Sequence, residues 1–250
     1  MRLTDLVRYL DEYLHVREVP DAPEALNGLQ VQNSGDITRL AAAVDVCEAT
    51  VRAAGERDAD LLLVHHGLFW SGLRPLTGPV YRRVAGLLGH NIALYSAHLP
   101  LDRHRAVGNN AVLARQLGVQ VRGEFGEYHG TAIGLWGELG LSREQLREQL
   151  VAALGATPRV LAFGPDRVQR VGIITGAGGS EIAQAAAAGL DTYITGEGQH
   201  WTYFEAEELG LNVFYAGHYA SETVGVKALA EHVSVKFGLP WVFLDHPTGL

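Results

Sequence analysis

Four short segments of the 250-residue chain carry histidine, three of them with an acid, at spacings suited to metal binding. They are His65 and His66 in VHHG, His98 and Asp102 in SAHLPLD, Glu197 and His200 in TGEGQH, and His218 and Glu222 in GHYASE. Imidazole nitrogen with carboxylate oxygen and no thiolate suits zinc, iron, manganese or cobalt, and the donor types do not choose among them. The expected ligands are His65, His66, Asp102, His218 and Glu222. An adjacent histidine pair just past a strand end can splay its rings toward two ions, as a dinuclear site with metals roughly 3.5–4 Å apart requires. Asp102 and Glu222 would bridge or cap the ions. Water or hydroxide between them would be the nucleophile, with its pKa lowered toward ~7. His98, four residues before Asp102, would either join the ligands or hydrogen-bond one from behind. Glu197 and His200 would shuttle a proton or orient substrate.

A lone histidine at a strand end is ordinarily a hydrogen-bonded structural residue, and His104, His129, His232 and His246 lack an acid at useful spacing, so they read that way. Other chemistries find less support. The turn GAGGS at 176–180 either docks a phosphate on its backbone N–H groups or is simply a tight strand-to-helix turn, because Glu181 breaks the full dinucleotide-binding glycine pattern. Trp70, Trp201 and Tyr203 flank the clusters, where they either stack on a substrate ring or pack. No G-x-S-x-G elbow occurs, and Cys47 has no visible partner, which argues against serine or cysteine nucleophiles.

The elements that must position these residues follow from the apolar patterning. Thr4 is read as the cap of a first helix with Leu6, Val7, Leu10 and Leu14 on its apolar face, and Pro20 and Pro23 break the chain beyond it. Strands are predicted at 40–44, 60–65 and 91–97, with helices at 46–56, 79–89 and 105–117. Residues 130–139 read as an antiparallel-type strand, and Ser142 with Gln145 forms a capping box that opens a helix to about 154. Strands at 171–175, 191–195 and 211–216 then alternate with helices at 180–188, 200–208 and 221–236. The apolar runs at 60–65 and 91–97 lack polar alternation, as strands covered on both faces do. This alternation gives an α/β fold with mostly parallel sheets.

The stretch LGHNIALYSAHLPLD at 88–102 resembles LGLNVFYAGHYASE at 209–222. Each runs Leu-Gly-x-Asn, an apolar strand, then a histidine followed four residues later by an acid. This is the mark of a duplication, and it predicts two related α/β lobes facing a central cleft, with the four clusters at strand ends around it. The expected division is lobe one at about 1–125 plus 221–250 and lobe two at about 126–220, together a single domain.

Composition excludes several classes. The formal charge is −8 and no Lys/Arg run stands out, so nucleic acid is not an expected partner. A single cysteine rules out an internal disulfide framework and fits the reducing cytoplasm. The acidic, amphipathic N-terminus and the short apolar runs predict neither secretion nor membrane insertion.

NGLQV (27–31), VHHGLFW (64–70), SAHLPLD (96–102) with GNN (108–110), TGAGGS (175–180), TGEGQH (195–200) and GHYASE (217–222) occur in the order seen in the Nif-three-like family. The chain resembles that family over nearly its whole length. Its bacterial members often carry the label GTP cyclohydrolase I type 2 homologue. The resemblance implies two divalent metal ions per chain on His65, His66, Asp102, His218 and Glu222, two related lobes, and a homohexameric ring with metal sites facing an internal cavity. HHG stands where HHP is usual, and Leu99 where threonine commonly follows the histidine; neither change removes a donor. The span from 125 to 165 is too short for the inserted domain of some relatives. The function expected is metal-dependent hydrolysis of a small nucleotide-like or phosphorylated substrate. The alternatives are a non-catalytic metal-binding or trafficking protein and a ring-shaped regulatory platform. The cyclohydrolase label itself rests on analogy, since no residue here reads guanine.

Overall fold

The structure is a computed structural model that describes every residue, Met1–Leu250. In chain order the elements are α1 (Leu3–Tyr13), β1 (Gly28–Val31), β2 (Leu40–Asp45), α2 (Glu48–Gly55), β3 (Leu61–His66), α3 (Gly78–Gly89), β4 (Ala93–Ser96) and α4 (Leu99–Asp102). There follow α5 (Asn109–Gln116), β5 (Gln120–Tyr128), β6 (Thr131–Ser142), α6 (Arg143–Leu154), β7 (Arg159–Ala162), β8 (Arg167–Ile174), α7 (Ile182–Ala187), β9 (Thr192–Thr195), α8 (Thr202–Leu209), β10 (Asn212–Tyr215), α9 (His218–Phe237) and β11 (Trp241–Phe243). They form two compact units, Met1–Val107 with Val226–His246, and Gly108–Gly225 with Pro247–Leu250.

The first unit holds a five-stranded sheet of order β1-β4-β3-β2-β11, parallel except for β1 at its edge. In β2 and β3 every residue but the last is buried, which matches their unbroken apolar runs. One core of this unit packs Leu62, Val64 and Leu94 of the sheet against Val51 and Leu87 of α2 and α3. The second unit holds a six-stranded sheet of order β5-β6-β8-β9-β10-β7. Its β8, β9 and β10 are parallel, while β5, β6 and β7 pair antiparallel. Tyr193 and Val213 of the sheet pack with Ile182 and Ala206 of α7 and α8.

The duplication reappears as topology. The run β1 to β4 lies in the order β1-β4-β3-β2, and the run β7 to β10 lies in the order β7-β10-β9-β8. Each has its first strand antiparallel at an edge and three parallel strands after it, joined by helices. Each last strand leads to a histidine with an acid four residues on, His98 with Asp102 and His218 with Glu222.

Several boundaries differ from expectation for identifiable reasons. Thr4 lies inside α1, whose cap position is Arg2. The helix expected at 105–117 is confined to α5, and the separate turn α4 carries Asp102. The segment 180–188 is split between a 3-10 turn at Gly178–Glu181 and α7. Glycine is a poor helix former, and a side chain at Gly178 would meet the Tyr193 hydroxyl at 2.6 Å. Helix α9 starts at His218 rather than 221, because Gly217 takes φ +90 and its carbonyl accepts the first helical hydrogen bond from Ser221. The capping box of α6 forms as expected, with Ser142 Oγ accepting from Gln145 N and Gln145 Oε1 accepting from Ser142 N. No helix is long and apolar enough to cross a membrane.

Candidate metal centre

In the first unit three imidazoles converge. The side chains of His65, His66 and His98 offer nitrogens that all lie within 4.8 Å of one another. His65 and His66 end strand β3; their ring centroids are 4.7 Å apart, and those of His65 and His98 are 4.9 Å apart. The adjacent pair therefore sits side by side at the strand end rather than on opposite faces. Asp102 comes up from α4 with its Oδ2 3.5 Å from His65 Nε2. His65 is fully buried and Asp102 nearly so.

Each ring is fixed through its other nitrogen. His65 Nδ1 meets the Ala97 carbonyl at 2.9 Å, His66 Nδ1 meets Asp45 Oδ1 at 2.9 Å, and His98 Nδ1 meets Asp21 Oδ1 at 2.9 Å. A proton held on Nδ1 by an oxygen acceptor leaves the Nε2 lone pair for a metal, the arrangement usual for ligating histidines. Burial pushes the Asp21 carboxyl up, but hydrogen bonds from His98, Asn27 and the Leu99 amide outweigh it and hold the group below the ordinary carboxylate range. Asn27 also accepts the His98 amide at 2.7 Å. Gln30 accepts the Leu68 amide and occupies the space that a Cβ at Gly67 would need. The NGLQV segment thus braces both His98 and the turn after the histidine pair, and its Gln30 is reason enough for glycine at 67. Trp70 lies 4.4 Å edge-on to the His98 ring and 5.3 Å from the His66 ring, so it packs on the donors.

The second unit repeats the device. His218 and Glu222 occupy one face of the first turns of α9, with His218 Nε2 3.2 Å from Glu222 Oε2. His218 Nδ1 meets Glu197 Oε1 at 2.8 Å. Burial lowers the His218 pKa, but Glu222 and Glu197 together overcome it and raise it to about 9. Gly176, at φ +68, leaves room for the Glu222 carboxylate, which a Cβ there would approach to 2.0 Å. His200 is exposed, edge-on to Phe204 at 5.6 Å, and its imidazole makes no hydrogen bond.

These donors fit a divalent metal: imidazoles whose Nδ1 atoms face oxygen acceptors, beside buried carboxylates. The chain matches the description Duf34/NIF3 (NGG1p interacting factor 3) over residues 1–248. It belongs to the Duf34/NIF3 family. A "GTP cyclohydrolase 1 type 2 homolog" of Deinococcus radiodurans is 46% identical, covering 98% of this chain and 94% of that protein. Among solved structures, protein ybgI, of unknown function, aligns with TM-score 0.93 at 37% identity over the full length of both chains. TTHA1606 of Thermus thermophilus aligns with TM-score 0.90 at 44% identity, again over both full lengths. The NIF3 assignment fits the order of the motifs from NGLQV to GHYASE.

Asp45 and Asp21 were not among the residues expected here. Asp45 had a readable signal, since it closes the apolar run of β2 as His65 and His66 close that of β3. Asp21 had none, because it lies in a loop 77 residues from the ring that it holds.

Two expectations follow for the NIF3 site. Asp45→Ala should weaken zinc binding by about 10–100-fold, the usual penalty for losing the carboxylate behind a ligating histidine. Competition against a chromophoric chelator reads this directly, and an unchanged affinity would detach Asp45 from the site. Zinc affinity should also climb by up to about tenfold per pH unit between pH 7 and 9. Protonated His218 cannot ligate, and its folded-state pKa of about 9 means that an ion taking His218 as a ligand would have to displace a proton below that pH. Above it the rise should level off. A flat profile across this range would mean that His218 does not ligate.

Proposed function

We propose that His65, His66, Asp102, His218 and Glu222 hold two divalent ions, of zinc, iron or manganese, and that the protein is a hydrolase acting on a small nucleotide-like or phosphorylated substrate. One arrangement supports this above all. All four histidines, His65, His66, His98 and His218, have Nδ1 fixed by an oxygen acceptor, and each lies beside a carboxylate or another imidazole. Structural histidines do not need such uniform orientation. His98 joins the donors or supports His65 from the side.

When bound, such ions lower the pKa of water toward ~7 and stabilise a developing oxyanion. The residues themselves supply the rest. His65 and Asp102 are buried, which keeps bulk water from the donors and strengthens the electrostatics among them. Glu197 orients His218 and is half-exposed, so it can accept a proton from an incoming group. His200, with its imidazole unbonded, is suited to carry that proton to solvent. The family resemblance also implies a ring of six copies. Trp70, Leu73, Leu76 and Tyr81 are exposed apolar side chains of the first unit that such contacts would cover.

The test is a hydrolysis screen of phosphoesters, amides and nucleotide rings, run on metal-stripped and metal-reloaded protein beside Glu222→Gln. Turnover that needs metal and disappears in the variant is expected. Bound metal with no turnover on any class would replace the hydrolase with the trafficking reading.

A further inference from the structure

We infer that a cavity in the second unit binds a phosphate ester carrying a planar ring, of nucleoside monophosphate size, with the phosphate on Arg159 and the ring toward Glu197. The cavity measures about 750 Å³, and Arg159, Glu197, His200, Tyr203, Phe204 and Tyr215 line it. That volume falls within the ordinary range for small-molecule sites, ~300–1,000 Å³. Its role as a substrate subsite rests on the hydrolase reading; the binding itself does not.

The sheet sets the dimensions. Thr195, Tyr215 and Arg159 lie in register on the adjacent strands β9, β10 and β7. The first two end parallel strands, where α/β sheets place ligands. Two strand spacings of ~4.8 Å put Arg159 roughly 10 Å from the strand end that leads to Glu197. A lining that spans strands this far apart suits the two ends of a nucleotide better than a free anion. Arg159 and Leu161, two apart on β7, share the face that lines the cavity.

The chemistry of the lining fits the two ends. Arg159 is exposed and its guanidinium makes neither ion pair nor hydrogen bond, whereas Arg82, Arg122, Arg143 and Arg147 are each paired with an acid. A guanidinium left open presents a fork that matches phosphate oxygens. Tyr203 and Phe204 expose 38% and 50% of their surface at the start of α8, large apolar rings that a planar ligand would cover. Glu197 is an anion that repels phosphate and accepts hydrogen bonds from ring N–H or sugar hydroxyl groups. It therefore orients the ligand. Because Glu197 also holds His218, the ring portion and not the phosphate is turned toward the metal donors.

Calorimetric titration of the whole protein decides the matter. The probes are guanosine and adenosine 5′-monophosphates, the two nucleosides and inorganic phosphate, each added to metal-stripped protein. At least one nucleotide should bind. Arg159→Ala should weaken that nucleotide by about tenfold or more, as loss of a charge-assisted hydrogen bond does, and leave its nucleoside within about twofold. Phe204→Ala should weaken both. Melting curves matching wild type verify that the variants are folded. Binding of neither nucleotide, or equal binding by wild type and Arg159→Ala, would overturn the inference. Zinc uptake measured on aliquots of the same preparations after reloading with zinc separates the two readings. Arg159-dependent binding in a protein that takes up no zinc removes the hydrolase and keeps the nucleotide site; zinc uptake without nucleotide binding does the reverse.

Discussion

His65→Ala is expected to destabilise the metal-free protein by about 3 kcal/mol, while His66→Ala leaves it within about 1 kcal/mol of wild type. The two residues are adjacent, so the contrast isolates burial. The His65 side chain is fully buried, bonds the Ala97 carbonyl and lies 3.5 Å from the buried Asp102 carboxylate. Its loss opens a cavity and takes a partner from an acid in a poorly solvated place. His66 is 12% exposed and faces Asp45, which is 43% exposed, so water can solvate the carboxylate that the mutation leaves behind. At 2–4 °C per kcal/mol for chains of about this size, His65→Ala should lower the melting temperature by roughly 6–12 °C. Both variants should lose metal. Equal melting temperatures would show that His65 is not buried against Asp102.

Gly225→Ala should destabilise the protein by about 1–3 kcal/mol, although alanine ordinarily improves a helix. Gly225 lies within α9, where an added Cβ would stand 2.4 Å from Asn109 Oδ1 and 2.9 Å from the Asn109 backbone nitrogen. Asn109 is fully buried and accepts the Gly225 amide at 2.7 Å. Backbone cannot yield as a flexible side-chain end can, so α9 must shift, and with it the first turns that carry His218 and Glu222. Metal affinity should therefore fall together with the melting temperature. Gly89→Ala, at the end of α3 with open space around it, is the control and should be neutral or mildly stabilising. If Gly225→Ala behaved like Gly89→Ala, α9 would not be pinned by Asn109.

Much of this was legible in the residues because strand ends announce themselves. An apolar run closed by polar side chains marked β3, β4 and β10, and the repeated His-x-x-x-acid spacing marked the two halves. The GNN segment was visible as a motif, but its work was not. Asn109 holds α9, while Asn110 accepts the Thr175 amide at 2.9 Å and donates to the Ile133 carbonyl. Such contacts join positions far apart in sequence, and composition carries no trace of them. The same holds for Asp21 behind His98, for Gln30 against Gly67, and for Trp70, whose packing on two imidazoles its position in the chain did not settle. Periodicity reports which face is buried; it does not report which loop returns to brace a side chain.

Metal counted per chain by elemental analysis, on the purified protein after reconstitution with zinc, iron or manganese and on Asp102→Ala treated alike, tests the metal centre most directly. Close to two ions per chain, falling sharply in a variant that still folds, is the expected result. No metal under any of these conditions, or the same content in Asp102→Ala as in wild type, would contradict it.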